Sequence, residues 1–251
     1  MRGFLLQLAV AALVLAAVPA AADPVKLTSL DWPPFSGASL PLKGATSAVV
    51  EDAFKAAGDK ASVEFLPWQE AVDTAMKKPG YVGYFPEYYS KELASDRCLF
   101  SKSIGNSPLG FVENKGAPVK WKKLADLQGK PIGTVEGYVN EAEFDHMAAA
   151  GELTVQPAAD DVTNLKKVAS GELALAVIDR NVMDYLLNFD ASLKDARAKL
   201  QFNEKPLENK DLFICFRKDK DGEAAAARFE KGLAKINVGA VLSDALKMMN
   251  Q

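Results

Sequence analysis

Residues 171–181 read Gly-Glu-Leu-Ala-Leu-Ala-Val-Ile-Asp-Arg-Asn, and every position from Leu173 to Ile178 is apolar. An apolar run of this length marks a strand covered on both faces, as in a parallel sheet flanked by helices. Such sheets bind ligands beyond the carboxyl ends of their strands. The run ends at that point on Asp179. Two readings of Asp179 are open: it caps the helix that continues through Val182, Tyr185 and Leu186, or it contacts a ligand in a cleft.

Alternating units fill the rest of the chain. Residues 25–30 form a first strand that runs into Asp31-Trp32-Pro33-Pro34-Phe35, where two prolines stop both helix and ladder and hold the aromatic rings on a stiff loop. A helix over residues 47–57 ends at Gly58, a strand covers 63–66, and Pro67 opens a helix with Trp68, Ala71, Val72 and Ala75 at helical spacing. Residues 81–85 form a third strand before the polar aromatic segment Pro86-Glu87-Tyr88-Tyr89-Ser90. Tyr81, Tyr84, Tyr88 and Tyr89 read either as a binding surface or as ordinary loop packing with wet hydroxyls. A new strand starts at Leu109. Further on, the sequence predicts a short helix over 121–127, a strand over 131–135, a helix after Asn140, a strand over 153–156, a helix over 161–169 and the strand ending at Asp179. The amides of Gly137 to Asn140 would open the helix after them, either as an anion-receiving N-terminus or as a plain βα loop. A helix over 192–200, a strand over 212–216 and two Ala-rich helices over 223–236 and 238–249 complete an α/β pattern.

The first residues bear on compartment. Met1, Arg2 and Gly3 precede an apolar run from Phe4 to Val18 and a small-residue site at Ala20-Ala21-Ala22, the pattern of a cleaved signal peptide. The expected mature chain starts at Asp23 as a soluble periplasmic protein with no cysteine to take a lipid there. Without Arg2 the formal charge of −3 becomes −4, with no basic block, so nucleic acid and anionic membranes are not expected partners. The two cysteines, Cys98 and Cys215, are either a disulfide or two buried thiols, and export favours the bridge.

Catalytic patterns are sparse. His146 is the one histidine and lies mid-helix, no GxSxG supports a serine triad, and neither nucleotide loops nor metal-ligand spacings occur, so no cofactor or metal is expected. What remains is an aromatic and acidic set at loop positions: Trp32, Phe35, Trp68, Tyr84, Glu87, Tyr88, Tyr138 and Asp179. Ring faces and carboxylates together suit a cationic or amine-bearing organic ligand.

The order of DWPPF, FSKSI, PIGTVEGY, GELALAVID and LFICFRKD resembles extracellular solute-binding proteins of family 3, the polar amino-acid receptors of ABC importers. The resemblance covers essentially the whole mature chain. It implies the type II periplasmic-binding-protein fold: two α/β lobes, 23–106 with 213–251 and 107–212, joined by two crossover strands. It implies a monomer without cofactor that closes on a small polar solute and delivers it to a membrane permease. The family's stacking ring falls on Trp32, its ammonium-binding aspartate on Asp179, eight residues past Gly171, and its amide loop on Gly137-Tyr138-Val139. In one respect this chain departs from the pattern. Where the family places T-x-x-R, with an arginine clamping the ligand carboxylate, this chain has Ser90-Lys91-Glu92-Leu93. The missing clamp argues against an ordinary α-amino acid, since a bidentate Arg–carboxylate pair is among the strongest polar contacts. Two other functions are compatible with the resemblance. One is a cleft enzyme of cyclohexadienyl-dehydratase type using Glu87, Glu136 or Asp179, and the other is an accessory protein docking on a periplasmic enzyme or sensor.

Overall fold

The computed structural model describes residues 23–249; the signal-peptide reading falls on residues 1–22, outside them. In the first lobe, β1 (Val25–Ser29) is followed by α1 (Ala45–Ala57), β2 (Ala61–Phe65), α2 (Trp68–Lys77), β3 (Tyr81–Tyr88), α3 (Lys91–Asp96) and β4 (Cys98–Phe100). A long strand, β5 (Gly105–Asn114), leads out of it. The second lobe holds β6 (Pro131–Val135), α4 (Ala142–Ala149), β7 (Thr154–Ala158), α5 (Asp161–Ser170), β8 (Leu175–Asp179), α6 (Arg180–Phe189), α7 (Lys194–Arg197) and β9 (Leu200–Phe202). Strand β10 (Glu208–Arg217) returns the chain, and α8 (Lys220–Leu233) and α9 (Val238–Met249) pack on α1.

The strands hydrogen-bond in the order β2-β1-β3-β10-β5-β8-β6-β7. β5 and β10 pair antiparallel with each other over Gly105 to Leu109 and Leu212 to Glu208. Beyond that stretch they part: β10 continues against β3 and β4, while β5 continues against β8 and β9. Two strands thus belong to both halves, the architecture expected for a hinge. The parallel pairs β1–β2, β1–β3, β6–β7 and β6–β8 all present their carboxyl ends towards the space between the halves. That alignment puts Trp32, Gly137, Asp161 and Asp179 at one cleft.

Each half has its own aromatic core. In lobe one Phe54, Phe216 and Phe229 are fully buried, with Phe229 5.2 Å from Phe54 and 5.8 Å from Phe216. In lobe two Phe111 packs 5.9 Å from Phe144. Side chains of this size each contribute about 3–5 kcal/mol by the cost of truncation.

Several boundaries differ from the sequence reading. The strand ending at Asp179 starts only at Leu175, because Gly171 (φ 83) adopts the left-handed C-cap of α5 and the chain needs the following residues to turn. β3 runs on to Tyr88 instead of stopping at Phe85. Here β10 offers partners to Glu87 and Tyr88, and the register slips between Phe213 and Cys215, opposite the stretch holding Pro86, which has no N–H to give. The expected 121–127 helix shrinks to a 3₁₀ turn, Leu124–Leu127. The amides of Lys122 and Lys123 go to Asp126 instead, and Trp121 is drawn against Phe111 and Asn203. The expected helix over 192–200 breaks into a turn and α7, and Leu200 opens β9 against Asn114. Among the described residues no helix is long and apolar enough to cross a membrane.

Cys98 and Cys215 form a disulfide, with Cα atoms 4.9 Å apart and a sequence separation of 117. It ties β4 to β10 on the lobe-one side of the crossover. Replacing both cysteines by alanine is expected to lower unfolding stability by about 2–5 kcal/mol, read from the urea midpoint. An unchanged midpoint would show that the bridge contributes nothing to the fold.

Candidate functional site

The cleft is built from the lobes' strand ends and is closed. Three side-chain hydrogen bonds cross it among the described residues. Trp32 Nε1 donates to Asp161 Oδ2 at 3.3 Å, Tyr88 Oη to Asp179 Oδ2 at 3.1 Å, and Trp68 Nε1 to the Gly137 carbonyl at 3.1 Å. All three donors come from lobe one and all three acceptors from lobe two. A cavity of about 20 Å³, room for a single water, remains between Leu30, Trp32, Trp68, Glu87, Tyr88 and Tyr138.

The aromatic rings stand edge to face. Trp32 lies 6.0 Å from Tyr88 at 83°, and Trp68 lies 5.6 Å from Tyr138 at 81° and 5.4 Å from Tyr84 at 80°. Such pairs each add about 0.5–1.5 kcal/mol beyond their buried area. Gly137 sits under this wall with φ 77, a backbone conformation that calls for glycine, whereas a Cβ there would meet only the movable end of the Gln69 side chain.

Three carboxyl groups are buried around the rings. Asp179 ends β8 and caps α6: its Oδ1 accepts from Ser107 Oγ at 2.7 Å, from the Asn181 amide at 2.8 Å and from the Val182 amide at 3.3 Å. Burial pushes its pKa up to about 6 against the pull of these donors. Glu87 accepts from Tyr84 Oη at 3.0 Å and from the Tyr88 amide, and burial pushes it up to about 7 while Arg97 and Lys210 oppose the rise. Asp161, 7% exposed at the start of α5, is also pushed up to about 7 by burial, with the charge of Asp179 adding to the effect.

Of the residues expected from sequence, Trp32, Trp68, Glu87, Tyr88 and Tyr138 line the cavity. Gly137 and Asp179 take part in the cross-cleft bonds. Phe35 and Tyr84 do not face the cavity: Phe35 is fully buried behind Trp32 at 5.0 Å, and Tyr84 is fully buried beneath Glu87. Of the amides from Gly137 to Asn140, that of Tyr138 donates to the Val135 carbonyl at 3.2 Å and that of Asn140 is also taken. Glu141 accepts from the Glu143 and Phe144 amides, and Asp145 accepts from the Asn140 amide at 2.8 Å. Ser90 caps α3 through the Leu93 amide and Lys91 is exposed, so that segment supplies no cation to the cavity. Asp161, Ser107 and Asn181 were not singled out in the sequence. Asp161 carries the same signal as Asp179, an acid between a strand end and a helix, but the preceding strand Thr154–Ala158 is short and half-exposed. His146 is exposed on α4, and among the described residues no group of three or more His, Cys, Asp or Glu is placed to hold a metal ion.

No protein-family model matches the sequence, and no curated protein matches it. Solved structures do. An ancestral arginine-binding protein bound to arginine superposes with a TM-score of 0.71 at 15% identity, covering 91% of this chain and 98% of that one. The GluR0 ligand-binding core from Nostoc punctiforme, in complex with L-glutamate, gives 0.69 at 14% identity over 88% and 97%. A histidine kinase sensor domain with similarity to periplasmic binding proteins gives 0.69 at 14% identity over 90% and 95%. The fold is the two-lobed, type II periplasmic-binding fold. In this chain the cleft between the lobes is where the buried acids meet the rings.

The raised acids set a pH dependence. Unfolded carboxyl groups titrate at about 4, so between about pH 4 and pH 7 the folded protein holds protons that the unfolded chain has released. Stability therefore falls as pH rises through this window. Asp161→Asn, which keeps an acceptor for Trp32, is expected to flatten the slope and raise the unfolding temperature at about pH 8 by a few degrees. Thermal melts at several pH values check this, and a wild-type midpoint that climbs from about pH 5 to pH 8 would contradict it.

Proposed function

We propose that this protein is a periplasmic solute-binding receptor, related to family 3, that captures a small amine-bearing solute between its lobes and hands it to the permease of an ABC importer. The observation that carries this reading is the polarity of the closed cleft. When the lobes part, lobe one is left with donors at Trp32, Trp68 and Tyr88, and lobe two with acceptors at Asp161, Asp179 and Gly137. A solute that replaces the direct bonds must donate towards lobe two, while lobe one offers it ring faces and neutral donors. Because the lobe-two acceptors include two carboxylates, the donor end is an ammonium, held among the faces of Trp32 and Tyr88. The lobe-one donors are neutral, so they give a ligand carboxylate no counter-charge. Arg97 and Lys210 act on Glu87 but do not line the cavity.

Tyr138, Glu87 and Asp179 enter this reading as ligand contacts, Phe35 and Tyr84 as the supports that hold Trp32 and Glu87. Catalysis of the cyclohexadienyl-dehydratase type has less support, because Glu136 is exposed and Glu87 and Asp179 are each occupied by several donors. One observation favours a second reading, a sensor or accessory domain: the lobes already meet around a cavity of about 20 Å³, so closure does not wait for a solute of several atoms.

A thermal-shift screen of the protein against amines, amino acids, organic acids and sugars tests the receptor reading. An amine at a hundred times its Kd should add about 2.7 kcal/mol of stability. Asp179→Asn, which keeps the helix cap and removes the charge, is expected to abolish that gain. Because the carboxyl groups must be ionised to hold the ammonium, affinity should rise about tenfold or more between pH 5 and pH 8. A screen in which only acids or sugars shift the midpoint would overturn the reading.

A further inference from the structure

The two lobe-two aspartates are provided for very differently. Asp179 receives four hydrogen bonds, from Ser107, the Asn181 and Val182 amides and Tyr88. Asp161, almost as deeply buried, accepts one, from Trp32 at 3.3 Å. It does not cap its helix either. That task falls to Asp160, whose Oδ1 accepts from the Thr163 amide at 2.7 Å. Among the described residues neither Asp161 nor Asp179 has an ion-pair partner. A buried carboxylate with one long bond from a neutral donor is poorly compensated, and the N-terminus of α5 offsets only part of the cost. The bond from Trp32 does not need an acid at this position, since an asparagine carbonyl would accept it too.

Resting on the amine-receptor reading above, we propose that Asp161 is a ligand-binding residue acting as a pair with Asp179, and that the solute carries two positive charges, as an aliphatic diamine does. The geometry supplies both ends and the middle. Trp32 and Tyr88, 6.0 Å apart and edge to face, each end on one of the aspartates, so the acids flank a continuous aromatic wall. Leu30, Val139 and Leu212 line the cavity beside it, an apolar surface for methylene groups. Closing the lobes over two ionised carboxylates sets them against each other in a dry space, and the charge of Asp179 already bears on Asp161. A monoamine compensates one of them and leaves the other charged or protonated. A dication compensates both.

The test is calorimetric titration of the full protein at about pH 8, where both acids are ionised, with butylamine, 1,4-diaminobutane and butylguanidine. The diamine is expected to bind about tenfold tighter, or more, than either singly charged probe. Asp161→Asn should bring the diamine down to the level of butylamine. The ligand-free unfolding temperature of that variant should hold or rise, which separates a lost contact from a damaged fold. Equal affinities across the three probes, or a diamine preference that survives Asp161→Asn, would overturn the paired-aspartate proposal and leave the amine receptor standing. Failure of all three probes to bind would overturn both.

Discussion

Carboxyl groups at the ends of lobe-two elements lose water whenever the two lobes meet, and the rest of the structure is arranged around that cost. Asp179 ends a strand buried along its whole length, and Asp161 stands where β7 passes into α5. Neither can move away without unpacking its strand or helix. The closed cleft therefore meets them with what lobe one has to offer, an indole N–H and a phenol. Neutral donors satisfy a buried carboxylate only in part, and the acids stay protonated at higher pH than usual. In the proposed receptor, the same shortfall is what would favour a cation over these internal partners.

The lobe-one side follows from a substitution in kind. In the family that the sequence resembles, an arginine answers the ligand's carboxylate from this lobe; here Leu93 occupies that place and its amide is bound to Ser90. Arg97 and Lys210 remain nearby: both bear on Glu87, and the Lys210 ammonium lies 5.4 Å from the Tyr88 ring centroid. The cleft consequently has an acidic wall facing a wall of rings and neutral donors. The disulfide ties β4 to β10 away from the cavity, while the paired stretch of β5 and β10 runs beneath it, giving Ser107 to Asp179 and Leu212 to the cavity lining.

Much of the fold was legible because it rests on local signals. The unalternating run before Asp179 marked a doubly covered strand, Gly58 marked a helix end, and the two crossover strands were placed where β5 and β10 lie. Elements set by distant partners were not legible. β3 continues through Pro86 because β10 is beside it, and Trp121 leaves its expected helix for Phe111 and Asn203. In the site, rings and acids at strand ends were visible as candidates, but their division of labour was not. Phe35 and Tyr84 carry the same residue-level signal as Trp32 and Tyr88 and differ only in which neighbour covers them. Asp161 stayed hidden because its value comes from Trp32, which is 129 residues away in the chain.

Lobe one closes on lobe two by donating its indole and phenol protons to the two buried aspartates and the Gly137 carbonyl. Exchange of the indole N–H protons, followed by nitrogen-15 NMR on the ligand-free protein, tests it most directly. The Trp32 and Trp68 indoles are expected to exchange far more slowly than free indole, with Trp32 the slower because its partner is buried. Exchange of both at the rate of a solvated indole would mean that the lobes stand apart in solution and would contradict the account.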